Sequence, residues 1–73
     1  MLNHNEIIDK FPAVAAYAAK RYGRSVADRG SMRPLLSNEI RVSYSHGDTW
    51  TVWESAPGNA INHIGTFRER DID

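Results

Sequence analysis

The chain has 73 residues, of which 41% are hydrophobic and 25% are charged, and its nine basic side chains balance its nine acidic ones. This composition is that of an ordinary globular protein, and it excludes disordered, collagen-like and membrane-spanning chains. Because a chain of this length buries only about 60% of the surface that it exposes when unfolded, it can build one core and no more. We therefore expect a single small domain over residues 1–73, without the net charge that attracts a polyanion at long range.

The chain contains no cysteine, which removes disulfides, thiolate zinc sites and cysteine nucleophiles together. Such a chain suits a reducing compartment. No apolar run approaches the roughly 18 residues of a membrane span, and residues 1–10 have neither the basic start nor the apolar core of a signal peptide. The sequence therefore predicts a cytoplasmic protein that does not act at a membrane.

Two helical segments are predicted before the first strand. Asn3 and Glu6 have the spacing of a capping box, in which each side chain accepts a hydrogen bond from the other residue's backbone N–H. The ring of Pro12 disfavours the helical conformation of the residue before it, so the first helix is expected to break near Pro12. The run 12–22 is rich in alanine, ends in basic residues and precedes Gly23, which can supply a left-handed cap. A second helix is therefore predicted over 12–22.

The segment 24–38 is predicted to be a loop with a short turn or strand, because Gly30 and Pro34 interrupt it and its apolar residues show no sustained period. A connection of this length either packs across a core or carries a function. The apolar side chains available for packing are those of Val26, Met32, Leu35 and Leu36.

A β-hairpin is predicted from the segments 39–45 and 49–55, which alternate apolar and polar residues and are rich in β-branched and aromatic types. A loop at 46–48 sets Tyr44 opposite Trp50 and keeps both apolar sets on one face. A two-residue loop would send them to opposite faces, because a one-residue slip inverts every side chain. We therefore predict an odd-numbered loop.

A third strand is predicted over 61–68, with Gly65 marking a bulge that lets Ile64 and Phe67 both reach apolar surroundings. The tail 69–73 alternates charge and is expected to fray. The predicted fold is α+β, an N-terminal helical segment broken near Pro12 and packed on a three-stranded antiparallel sheet in the order α-α-β-β-β.

The second face of the hairpin is the first candidate binding surface, because the predicted register sets Trp53 opposite Arg41 among polar neighbours. His63 and Phe67 of the third strand are expected to join that face. Tryptophan and arginine are the types most enriched at interface hot spots. Alternatively, the 24–38 loop folds back and covers Trp53 as a minor core, since a small domain often covers both faces of a short sheet.

A basic segment over residues 20–33 is the second candidate, since it carries a single acid, Asp28. Guanidinium groups match phosphates and carboxylates with paired hydrogen bonds. Alternatively, the segment is a solvated helix end and loop whose arginines pair with acids elsewhere in the chain. The arginines concerned are Arg21, Arg24, Arg29 and Arg33.

Metal-binding and catalytic patterns are weak. A zinc site would need the three histidines, His4, His46 and His63, to converge. The sequence shows no activated nucleophile, paired carboxylates or glycine-rich phosphate loop. We therefore expect neither a metal, nor a cofactor, nor an enzyme.

The first hypothesis for function is a small protein-binding module of the inhibitor or adaptor type, whose protein partner is unidentified. A small accessory protein of a phage or mobile element is one setting for such a chain. The alternative is single-stranded nucleic-acid binding on the Trp53 face, with phosphates held by the basic 20–33 segment. A third hypothesis is a homodimer formed through edge strands or the alanine-rich helix.

Overall fold

The computed structural model describes residues 1–72 and forms one helix and one mixed sheet, an α+β arrangement. The elements are α1 (His4–Tyr22), β1 (Ser25–Val26), β2 (Glu39–His46), β3 (Thr49–Ala56) and β4 (Ala60–Arg68), with single 3-10 turns at Pro57–Asn59 and Glu69–Asp71. Within the described residues, no helix has both the length and the apolar character that crossing a bilayer requires.

Helix α1 begins as the sequence predicts. The backbone N–H of Glu6 donates to Asn3 Oδ1 at 2.9 Å, and the backbone N–H of Asn3 donates to Glu6 Oε1 at 3.1 Å, which completes the capping box. At the other end Gly23 adopts a left-handed conformation, with φ of 66°, and its N–H donates to the carbonyl of Ala19. Both ends of the helical region are therefore encoded locally.

The predicted break near Pro12 is wrong, because α1 runs through Pro12 as a single helix. Proline removes the N–H that would bond the carbonyl of Ile8. Ile8 is 43% exposed, so water can reach that part of the helix. Downstream, Val14 and Ala18 are fully buried against the sheet. Packing of this stripe offsets the local cost of the proline, and one helix replaces the predicted two.

The sheet has four strands in the order β1-β2-β3-β4, rather than the three antiparallel strands that the sequence predicts. The additional strand is β1, which pairs with β2 in parallel over only two positions, Ser25 with Glu39 and Val26 with Ile40. The remaining pairs are antiparallel. A two-residue strand is too short to show a period of two, so its pairing is set by tertiary contacts.

The predicted cross-strand pairs of the hairpin are confirmed. Tyr44 pairs with Trp50 and Val42 with Val52, and Arg41 lies opposite Trp53. The predicted odd-numbered loop over 46–48 is not formed, because Gly47–Asp48 is a two-residue turn and His46 already pairs with Thr49. A bulge between Tyr44 and His46 shifts the register by one residue and so keeps the predicted pairs in place. The apolar residues of both strands therefore share the face that packs on α1.

A second bulge lies in β4, where the sequence predicts one. Val52 pairs with Gly65, whereas its neighbour Trp53 pairs with His63, which leaves Ile64 as the extra residue. Ile64 packs against the core, and Phe67 is only 3% exposed within it.

The core lies between α1 and the face of the sheet that carries Trp50, which is fully buried. The tail also joins it. Instead of the frayed end that its charges predict, Glu69–Asp71 forms a 3-10 turn and Ile72 packs against the core cluster. Lys10 Nζ lies 3.4 Å from Glu69 Oε2 and ties this turn to α1. Asp73, the last residue of the predicted tail, lies outside the described residues.

A candidate binding face on the open side of the sheet

The open face is the side of the sheet that does not pack against α1. Side chains alternate between the two sides of the sheet along each strand, and residues that pair across strands share a side. This alternation determines which residues lie on the open face. The open face includes Arg41, Ser43, Thr51, Trp53 and His63, and it continues through Ser55, Ile61 and Thr66.

Trp53 lies at the centre of the open face and is half-buried. Its indole Nε1–H donates to Ser43 Oγ at 3.0 Å. The centroids of the Trp53 and His63 rings lie 5.4 Å apart, and the two ring planes are inclined by 55°. The hydrogen bond satisfies the polar edge of the indole and fixes its orientation, so the exposed part of the ring presents a rigid apolar surface.

Arg41 is held at one end of the open face, and its guanidinium is occupied. Its Nη1 donates to the carbonyl of Ser31 at 2.9 Å and its Nη2 to the carbonyl of Arg33 at 3.1 Å. Arg41 therefore fastens residues 27–38, the loop between β1 and β2, to the start of β2. This is a structural use of a residue predicted to lie in a binding site.

Glu39, the first residue of β2, fastens the same loop. Its carboxylate accepts two hydrogen bonds of 2.6 Å from Arg33 and a third, of 3.0 Å, from the backbone N–H of Leu36. The side chain of Glu39 is 10% exposed, whereas that of Arg33 is 48% exposed. The Arg33 guanidinium, and next the Leu36 N–H, lower the pKa of Glu39 from 4.5 to about 2. Glu39 therefore stays ionised at neutral pH and holds the loop.

These contacts place the loop over one end of the open face. A cleft of about 410 Å³, the loop cleft, is lined by loop residues 31–35 and by Arg41, Asn59 and Ile61. Met32 on its wall is 96% exposed and Ile61 is 45% exposed. The loop thus covers the end of the face that holds Arg41, and Trp53 retains part of its exposure. The alternative in which the loop covers the face therefore applies to the Arg41 end, and the alternative of an exposed Trp53 applies in part to the centre.

Phe67 does not belong to this face, and the expectation that it joins Trp53 is wrong. Phe67 pairs with Trp50 on the core side, and its ring centroid lies 4.9 Å from that of Tyr17 in α1. The bulge at Ile64 explains the difference, because it inverts the alternation between His63 and Phe67. His63 therefore reaches the open face and is exposed.

The four arginines of the basic segment are dispersed. Arg24 pairs with Glu54 at 2.8 Å, and Arg33 pairs with Glu39. Arg21 donates to the hydroxyl of Tyr17 near the end of α1, at 2.9 Å. Arg29 lies 3.5 Å from His4 Nδ1 at the start of that helix. Since α1 rises about 1.5 Å per residue, these last two positions are separated by about 25 Å.

Sequence reasoning missed two contributors to the site, Met32 and Ile61. The alternation of β4 beyond the bulge places Ile61 opposite Ser55 on the open side, and that signal was available in the sequence once the bulge was placed. Met32 had no such signal, because its position depends on the contacts that Arg41 and Glu39 make with the loop. Within residues 1–72, no group of three or more His, Asp or Glu side chains could hold a metal ion.

Comparison with protein-family models, curated proteins and solved structures gave no match for this chain.

Proposed function

We propose that this protein is a non-enzymatic protein-binding module, of the inhibitor or adaptor type, that contacts its partner through the open face. The observation that carries the proposal is the state of Trp53, whose polar edge is satisfied internally by Ser43 while part of its ring remains exposed. A side chain that is already ordered loses little conformational entropy on binding, so more of the contact energy appears as affinity. Tryptophan is also the type most often found as an interface anchor.

The end of the open face beside the loop supports the same proposal. Met32 and Ile61 expose large apolar side chains beside the loop cleft. His63 and Thr51 supply polar groups at the rim. An apolar centre with a polar border is the usual composition of a protein interface. The expected partner surface is therefore apolar at its centre, with a side chain that enters the loop cleft.

Site-specific photo-crosslinking in the source cells tests this proposal. A photoreactive phenylalanine analogue replaces His63 on the open face, and a control places it at Ala16, an exposed position on α1. We expect the variant at residue 63 to capture a defined protein, and Trp53→Ala to reduce that capture by about tenfold or more while the fold is kept. Equal capture from residue 16, or capture that survives Trp53→Ala, would contradict the proposal.

The same experiment separates the nucleic-acid alternative, which would appear as adducts with RNA or DNA. Its independent check is a mobility shift on mixed RNA and single-stranded DNA at low salt. Binding through phosphates should weaken steeply as salt rises, because condensed counterions are released on association. Absence of a shift at low salt would dismiss this alternative.

A further inference from the structure

One edge of the sheet is left without a strand partner. Strand β1 accompanies β2 for two residues and then ends, although β2 continues to His46. The chain turns away after β1, where the N–H of Ser31 donates to the carbonyl of Asp28 at 3.1 Å, and it crosses to the open face. Among residues 1–72, only β3 pairs with β2 beyond Ile40.

The direction of the backbone groups on this edge follows from a single hydrogen bond. The N–H of Ala27 donates to the carbonyl of Ile40 at 2.9 Å, so the peptide groups of Ile40 face β1. Backbone groups alternate sides along a strand. The N–H and C=O groups of Val42 and Tyr44 therefore face the same edge, where β1 has ended. They form a row with the spacing of an extended chain.

An apolar recess lies next to this free edge. The edge recess has a volume of about 410 Å³ and is bounded by the sheet, by the first half of α1 and by residues 27–30. Its apolar walls come from Ile7, Phe11, Val42, Tyr44 and Trp50. A chain laid beside β2 would direct alternate side chains toward this side of the sheet. One of them would enter the recess.

Charged side chains at the rim of the recess favour an acidic partner. The rim carries Arg29 and Arg41 against the single acid Asp28. This excess of positive charge complements a negatively charged segment, while the apolar walls suit an apolar side chain.

We propose that the free edge of β2 and the edge recess bind an extended, acidic peptide segment of a partner protein. The segment adds a strand beside Val42 and Tyr44 and places one apolar side chain in the recess. About four residues fit between the end of β1 and the bulge near the hairpin turn, at about 3.3 Å per residue. Backbone hydrogen bonds supply the affinity and the recess supplies the specificity, as in other cases of strand addition.

The opposite edge of the sheet is less suited to this role. Strand β4 is also an edge strand, but the bulge at Ile64 interrupts its row of backbone groups. Bulges of this kind are a common means of protecting an edge from pairing. Its outward amide at Thr66 therefore provides a matched control, because the pairing of Phe67 and Gly65 toward β3 leaves Thr66 facing away.

The test uses chemically synthesised protein and random peptides displayed on mRNA. We expect selection to enrich acidic peptides with an apolar residue at a fixed position. N-methylation of the Val42 amide removes one outward donor and keeps the side chain. It should lower the affinity of the protein for the selected peptide by about tenfold or more. N-methylation of Thr66 should change its affinity by less than about twofold. Trp53→Ala should also leave the affinity unchanged, which separates this site from the open face.

Amide hydrogen exchange gives a readout that needs no variant. In the free protein, the amides of Val42 and Tyr44 should exchange much faster than those of Arg41 and Ser43, which face β3. The selected peptide should protect Val42 and Tyr44. The proposal is overturned if selection enriches no peptide that protects these two amides, or if they are already protected in a dimer of this chain.

Discussion

Glu39 shows how one side chain can determine the shape of a candidate binding surface without belonging to it. It carries three hydrogen bonds at the start of β2, two from Arg33 and one from the backbone of Leu36. Together with Arg41 it holds the loop that forms one wall of the loop cleft. The shape of the open face at this end therefore depends on a carboxylate that is largely shielded from solvent.

Stability should depend on the ionisation of Glu39. Its pKa is about 2 in the folded protein, compared with 4.5 ordinarily. Because the folded pKa is the lower one, the contribution of Glu39 is complete above pH 4.5 and is lost as the pH falls toward about 2. We expect Glu39→Gln to destabilise the protein at pH 7. The difference in unfolding free energy between this variant and the wild type should shrink as the pH falls from 4.5 toward about 2.

Urea unfolding of both proteins at a series of pH values measures that difference, and carboxyl NMR reports the titration of Glu39 directly. Arg33→Gln serves as the matched variant, since it leaves Glu39 in place and should bring its pKa back toward 4.5. A titration of Glu39 near 4.5 in the wild-type protein would contradict the role assigned to the Arg33 pair.

The elements differ in how strongly their sequences determine them. The capping box, the Gly23 cap and the register of the hairpin are local patterns, and the structure confirms each of them. Helix α1 and strand β1 depend on the rest of the molecule. Pro12 argues locally for a break, but burial of Val14 and Ala18 keeps the helix whole. Strand β1 is fixed by β2, and the loop by Glu39 and Arg41.

The packing of α1 on β4 can be tested at Gly65. Gly65 follows the bulge residue Ile64, and a Cβ at Gly65 would lie 2.5 Å from Tyr22 Oη at the end of α1. We therefore expect Gly65→Ala to destabilise the protein by about 1–3 kcal/mol, because the Tyr22 ring has to move.

Tyr22→Phe removes the oxygen that makes the close contact and should recover much of this loss in the double variant. Urea unfolding of the four proteins gives the coupling energy between the two positions. Additive effects would mean that Tyr22 does not pack on Gly65 in solution.

At the scale of the whole molecule, the sheet divides the chain into two chemically different sides. Trp50 lies fully buried between the sheet and α1, whereas Trp53 lies half-buried on the open face. The hairpin register alone predicts this division, and it places Arg41 and Trp53 correctly. It cannot predict what Arg41 binds, because the loop carbonyls of Ser31 and Arg33 reach it only through the tertiary fold. Phe67 was misplaced because one bulge inverts a face.

The two tryptophans differ in exposure, and this difference decides the proposed function, since the open face can bind a partner only if Trp53 is accessible. Fluorine NMR of protein labelled with fluorotryptophan measures it directly, with Trp53→Phe assigning the two signals. We predict that the Trp53 signal shifts between H₂O and D₂O and broadens with a soluble paramagnetic quencher, while the Trp50 signal does neither. Equal protection of both signals would overturn the proposed function, because the open face would then be covered in the free protein.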